Sequence, residues 1–557
     1  MAVMPGNLTS PGATARGLRS AAADGRPWHR RADWLVIGVP AVAALALGGY
    51  RIGGPPLWRD EAYTIIAARR SAGQIVVLLG HTDAVHGPYY LLMHIVVVLL
   101  GTSAVAIRLP SLVAMSIAAG FTAALGRRLA STAALPAPPV TGLLAGLLFV
   151  AGPRTTYYAQ DARPYGLVVM FAVIATYLLV RATADGRWGW WACYSAAIAL
   201  AGLFNLFALL LVVAHGVTLA LASAQARGGQ PGGGSGPAGP QAAAVAAGSP
   251  GRQPAAEPRT QLPRWLAAVA AAVVVLAPMI YLGYQQGHTL GWVVAPGIHA
   301  VTRMVTDFAG ARRLVPLVAI LALGGAVAGW RSRRPGQPGL AVVALPWLVL
   351  PPLILIVVSQ VHPAYVERYV ILCLPALALL CAAGLAGLAR LVAMTPAAGP
   401  RPALAWAPAA IILAVIAVLL IGPQHLTGPT AARPDDLRAA AAVVAANARP
   451  GDAVCYVPAK TRVVSFAYPA PFRRLRDLAL AKSPAASATL VGTQVQPPTL
   501  RSRFAGVRRV WLIQWVRQQS ARPRQPTGRA ELALIAGTHL VRRWYARSMV
   551  LSLYAAG

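Results

Sequence analysis

The chain has 557 residues, 57% of them hydrophobic and only 11% charged, with a mean hydropathy of +0.59. That much apolar surface excludes a soluble globular protein, and uncharged runs such as Trp34 to Tyr50 and Pro402 to Gln424 can each cross a hydrocarbon layer of ~30 Å. The formal charge of +34 would suit nucleic acid, but the arginines fall mainly in short loops between apolar runs, as a positive-inside bias produces, so no nucleic-acid partner is expected.

In chain order, residues 1–32 form a basic tail with Arg16, Arg19, Arg26, Arg30 and Arg31, which places it in the cytoplasm. No small-residue cleavage pattern marks a signal peptide. The first span emerges so that Asp60 and Glu61 lie outside, in a first outer loop covering 51–108. Within that loop Tyr89 to Gly101 is apolar but only 13 residues long, short for a span. If it crossed, the basic clusters at Arg127-Arg128, Arg331 to Arg334 and Arg390 would face outward. Lying along the outer interface as a juxtamembrane helix, it leaves every such cluster inside. Spans then follow near 109–126, 140–156, 164–181, 189–204, 206–222, 265–283, 314–330, 340–358, 369–389 and 403–421, eleven with the first.

Residues 224–263 are rich in Gly, Pro, Gln and Ala and cannot bury enough apolar area to offset their ordering entropy. They read as a disordered cytoplasmic linker. From 423 to 557 the pattern changes to a small extracytoplasmic α/β domain. Its expected elements are a helix opened by acidic residues over Asp435 to Ala448, a turn at Pro450-Gly451-Asp452, and strands at Ala453 to Val457, Arg509 to Gln514 and Met549 to Tyr554. The chain is thus expected to be a multi-pass protein of the plasma membrane, N-terminus in and C-terminal domain out.

Acidic residues are few, so each outer one is informative. Asp60 and Glu61 sit in Leu57-Trp58-Arg59-Asp60-Glu61, where a paired carboxylate at the membrane edge can serve as a general base. The plainer reading is a solvated loop, with Arg59 pairing locally and Trp58 as an interfacial belt residue. Asp83 and His86 can bind a sugar hydroxyl, a phosphate or a metal, although a lone His is more often a simple hydrogen-bonding residue. In Tyr157-Tyr158-Ala159-Gln160-Asp161-Ala162-Arg163-Pro164-Tyr165, Asp161 either caps the following helix or meets substrate, while Arg163 near a helix N-terminus suits phosphate. Glu367 and Arg368 precede the tenth span as a functional or merely anchoring pair, and Arg108 is another arginine at the outer edge. Cys193, Cys373, Cys381 and Cys455 lack metal-site spacing.

WRDEAYT at 58–64, DAVHGPYYLL at 83–92, AIRLPS at 106–111, YYAQDARPYGL at 157–167 and ERYVILCLP at 367–375, in this order, resemble the GT-C glycosyltransferases. The likeness is to the family 39-like branch, which includes protein O-mannosyltransferases and the lipid A aminoarabinose transferase. The resemblance covers about residues 33–390, within a membrane module of 33–422. It implies a polyprenyl-phosphate sugar donor, inverting displacement on the outer face, and a catalytic base from the first outer loop. Carried onto this chain, Asp60 is the base and Glu61 its support. Arg108, Arg163 and Arg368 hold the carrier phosphate, while Asp83 and Asp161 contact sugar or acceptor, and His86, Tyr165 and Glu367 complete the substrate site. His86 stands where the aminoarabinose transferase pattern has an acidic residue, so no metal or other cofactor is expected, although a divalent ion is chemically possible. The acceptor is a glycan, glycolipid or protein. The competing class is a lipid or polysaccharide transporter, which would carry polar groups near the middle of its spans rather than at one face.

Overall fold

The computed structural model describes residues 27–228, 258–287, 293–330, 337–395, 403–427, 433–515 and 526–556. The basic tail before Pro27, the Arg331 to Arg334 cluster and most of the 224–263 linker lie outside the described residues. Helices Leu210–Gly228 and Pro258–Gln285 run into the two ends of that linker.

Helix α1 (Pro27–Gly49) leads into a group of short elements, α2 (Arg59–Ala68), α3 (Ala72–His81) and α4 (Gly87–Leu100). A capping box at Ser71 and Gln74 starts α3, satisfying two otherwise orphaned backbone groups. Helix α4 ends at Gly101, whose φ of 79° suits glycine, and its 14 residues are too short to span. Its Tyr89, Tyr90 and Met93 are buried while Ile95, Val98 and Leu99 stay exposed, so one face packs inward and the other is an apolar outer surface.

Helix α5 (Ala104–Thr132) is the centre of the membrane part, packing against α1, α6 (Pro138–Ala151) and α8 (Tyr165–Asp185). A short α7 (Pro153–Ala159) separates α6 from α8. Among the described residues eight helices are long and apolar enough to cross a membrane. The other three expected spans coincide with α1, α6 and helix Trp188–Phe204, whose apolar stretches of 10–17 residues are shorter than that length. Helices Val315–Gly329 and Leu374–Ala393 approach closely because Gly325 and Gly384 face one another. A Cβ on either would lie about 2 Å from a carbonyl oxygen of the opposing helix. Exposed Val274, Val327 and Ile411 present an apolar outer surface of the kind lipid covers.

The spans are not bare of polar groups. His215 is fully buried, with Thr176 at Nε2 (3.1 Å) and Tyr194 at Nδ1 (3.0 Å), and Trp265 donates to Tyr194. This cluster clasps four helices together and does not line the cleft described below.

The C-terminal domain is α/β. Strand β1 (Ala453–Val457) pairs in parallel with β2 (Arg476–Asp477) and β5 (Arg509–Trp515). Strand β7 (Met549–Ala555) pairs antiparallel with β5 and with β6 (His539–Ala546), giving the order β2-β1-β5-β7-β6. A separate two-stranded piece joins β3 (Leu480–Lys482) to β4 (Thr493–Gln494). The acidic start of the expected helix acts as a cap: Asp436 accepts from Ala439 N ahead of Leu437–Asn447. Ala62 and Ile66 of α2 lie in the same hydrophobic cluster as Leu437, Val444, Val464, Trp511 and Met549. The first loop is therefore part of the domain's core, and both sit at one end of the bundle. A cysteine at exposed Ser131 should be modified from the cytoplasm, and cysteines at Gly73 and Ser502 from the exterior; labelling of all three from one side would refute this threading.

Candidate active site

Helix α2 starts directly on leaving the loop after α1, and its first turn carries both carboxylates. Successive helical residues point about 100° apart, so Glu61 turns inward and Asp60 turns away. Glu61 meets Arg108 of α5 in a two-pronged pair, Nε to Oε1 and Nη2 to Oε2, each 2.7 Å, with both side chains fully buried. Ala162 N also donates to Glu61 Oε1 at 3.0 Å. Burial raises the Glu61 carboxyl, but Arg108, Arg433 and the Ala162 N–H together hold the group below its usual range.

This arrangement changes the role expected of Arg108. Its remaining N–H groups donate to the carbonyls of Ile52 (2.8 Å), Pro55 (3.1 Å) and Pro56 (3.4 Å), which saturates the guanidinium. It is shielded from any phosphate and instead ties the 52–56 loop to α2.

Asp60 faces Arg368, whose Nη1 is 3.6 Å from Oδ2, and both side chains retain some exposure. Arg368 also lies over the rings of Tyr165 (5.8 Å) and Tyr369 (5.9 Å). Glu367 does not pair with its neighbour; it lies 3.5 Å from Arg303 of helix Ile298–Ala309. Burial, with Asp307 nearby, raises its carboxyl.

Asp161 does not cap α8. Pro164 occupies the cap position without a side-chain bond, and Asp161 Oδ1 instead accepts from the Trp58 indole at 2.9 Å. Trp58 is accordingly buried rather than an interfacial belt residue, and Arg59 pairs not locally but with Asp435 at 3.0 Å. The other Asp161 oxygen has no hydrogen-bond partner. Burial pushes this carboxyl up to about 6, against the opposing pull of Arg433.

Asp83 adopts the left-handed conformation (φ 61°) that Asp tolerates better than most residues. It accepts from Tyr90 and from His86 Nδ1 (2.8 Å), and His86 Nε2 in turn accepts from Arg163 Nη2 at 2.8 Å. These contacts assign the neutral Nδ1–H tautomer. Burial would raise the Asp83 carboxyl, yet His86 and Arg163 hold it well below the usual range. Asp83 and His86 thus form a chain of hydrogen bonds that orients Arg163, with both side chains still partly exposed. No group of three or more His, Cys, Asp or Glu placed to hold a metal occurs among the described residues.

A cleft of about 560 Å³ opens beside these groups, lined among others by Trp58, Tyr158, Asp161, Arg154, Glu367 and Arg368. It thus joins the first loop, the turn before α8 and the segment before helix Leu374–Ala393. Two arginines near the cleft, one lining it and one behind it, are not apparent in the sequence. Arg154 pairs with Asp307, and Arg433, beyond the last span, donates to Gln160 O at 2.5 Å. Neither belongs to a motif, and the only sequence signal for Arg433 is its place beside Pro434-Asp435-Asp436 at the domain junction.

A family model described as dolichyl-phosphate-mannose-protein mannosyltransferase matches residues 86–228. That stretch contains Arg108, Asp161 and Arg163 but not Asp60 or Arg368. Among solved structures, ArnT from Cupriavidus metallidurans in the apo state is similar at 13% identity over 93% of this chain and 97% of that one, with a TM-score of 0.52. The same protein bound to undecaprenyl phosphate matches over the same shares and at the same identity, with a TM-score of 0.53. No curated protein sequence matches. At this identity the likeness establishes the fold.

Replacing one member of the buried pair strands the other. Arg108→Met should destabilise the protein by about 3–5 kcal/mol, read as a fall in melting temperature. Adding Glu61→Leu should recover much of the loss, and equal losses in single and double variants would contradict the pairing.

Proposed function

We infer that this chain, a member of the GT-C superfamily of glycosyltransferases, is a membrane enzyme that moves a sugar from a polyprenyl-phosphate donor to a cell-envelope acceptor. The observation that carries the reading is the meeting of Asp60 with Arg368, which lines the cleft together with Asp161. A carboxylate and a guanidinium side by side are the two groups the reaction needs. One accepts the acceptor's proton, and the other stabilises charge on the departing phosphate.

In the proposed reaction an acceptor hydroxyl attacks the anomeric carbon from the face opposite the phosphate. Asp60 takes the hydroxyl proton as the new O–C bond forms. The bond from the anomeric carbon to the phosphate oxygen breaks, and the carrier phosphate leaves with the electron pair. Arg368 and Arg163 oppose that growing negative charge, Arg163 being aimed by His86 and Asp83. Glu61 and Arg108 serve as positioning groups, fixing the first turn of α2 so that Asp60 keeps its direction. The similar proteins, one a dolichyl-phosphate-mannose enzyme family and one bound to undecaprenyl phosphate, support a lipid-phosphate carrier. A mannose- or arabinose-type sugar, the outer face of the plasma membrane and a glycan, glycolipid or protein acceptor complete the reading.

The purified chain, given a panel of radiolabelled polyprenyl-phosphate sugars, should transfer label to envelope glycan or glycolipid. Asp60→Asn should lower that rate about 10²–10⁴-fold while inserting normally in the membrane. Full activity in the variant would remove Asp60 from the base role, and absence of transfer from every carrier would remove the reading.

A further inference from the structure

The strap of residues 433–437 leaves the membrane part and enters the C-terminal domain, yet it also passes beneath the proposed site. Asp435 accepts from the backbone N–H of Arg59 (3.2 Å) and from Ser548 Oγ (2.6 Å), and Leu437 N donates to Leu57 O (3.4 Å). Arg433 is fully buried. Its Nη2 donates to Gln160 O (2.5 Å) and Tyr157 O (3.4 Å), and its guanidinium lies 4.0 Å from the centre of the Tyr157 ring. These contacts fall on the end of α7 and on Gln160 of the turn that delivers Asp161.

We propose that Arg433 is a positioning residue for Asp161 within the site assigned above, holding that turn in place and setting a positive charge behind the carboxylate that faces the cleft. Arg433 itself does not line the cleft, whereas Asp161 and Pro434 do. Its Nε and Nη1 make no hydrogen bonds, and no carboxylate of the described residues lies within ion-pair distance. A buried guanidinium without a contacting counter-ion is costly unless negative charge stands nearby, and Asp161 and Glu61 supply it. The dependence is mutual. Burial raises the Asp161 carboxyl, Arg433 is the strongest influence in the opposite direction, and Glu61 adds to the rise. Trp58 and Arg163 assist Arg433, and Tyr89, Tyr157 and Tyr158 also face Asp161. The strap therefore makes the C-terminal domain's attachment part of what keeps Asp161 ionised near neutral pH.

The sign follows from this arrangement. Asp161 already titrates high because it is buried, so removing the opposing cation moves its midpoint higher still. The test is pH-difference infrared spectroscopy of the full chain in detergent, with an Asp161→Asn sample subtracted to isolate this carboxyl. The wild type should titrate near 6. Arg433→Met should raise the midpoint by about 1–2 pH units, the range for loss of a nearby opposite charge, and Arg433→Lys should leave it close to the wild-type value. If Arg433→Met does not fold, Arg433→Gln serves as the neutral comparator with the same expected rise. An unmoved midpoint in the neutral variant, or an equal rise with lysine, overturns the proposal. The readout is independent of turnover, so a chain that titrates as expected yet transfers no sugar sinks the proposed function and not this role. Where transfer is observed, the acid limb of kcat/KM should rise with the midpoint.

Discussion

The fully buried pair of Glu61 and Arg108 is the constraint on which the site depends. In a low-dielectric interior each charge is tolerable only with its partner in place, and here the partners come from different elements. The pair joins the first turn of α2 to the N-terminal end of α5, while the remaining Arg108 donors gather the 52–56 carbonyls. Glu61 in turn takes the Ala162 N–H. Three stretches distant in sequence are thereby fixed to one point. The residue before Glu61 is held with them, and helical geometry turns it toward Arg368.

The second constraint is the shared helix. Ala62 and Ile66 belong to the core of the C-terminal domain, while Glu61 of the same helix belongs to the membrane part. Such a helix cannot move with one body and stay with the other. The domain is consequently continuous with the first loop, and Arg70 strengthens the link by donating to Pro484 O and Thr489 O. The cleft beside Arg368 has a wall built partly from the strap that carries Pro434.

Much of the fold was legible because hydrophobic length and alternation are local properties. Strand β1 falls on its expected residues, and β5 and β7 exceed theirs by one residue. Strand β6 escaped notice because it is an edge strand with exposed Arg542 and Arg543 in place of an apolar alternation. Three of the expected spans fall on helices whose apolar stretches are shorter than those of the eight others. Hydropathy measures the apolar run and does not register where a proline or glycine, as at Gly152-Pro153, ends the helix.

The sequence by itself determined that this is a polytopic membrane protein with a C-terminal α/β domain, and it singled out the polar residues at one face as the place for chemistry. Those conclusions rest on composition and spacing, which need no knowledge of partners. Only the tertiary structure distinguished three arginines that look alike in the sequence: Arg108 is consumed by Glu61, Arg163 is oriented by His86, and Arg368 faces Asp60. A guanidinium's role is set by which acceptors saturate it, and those acceptors lie tens to hundreds of residues away along the chain.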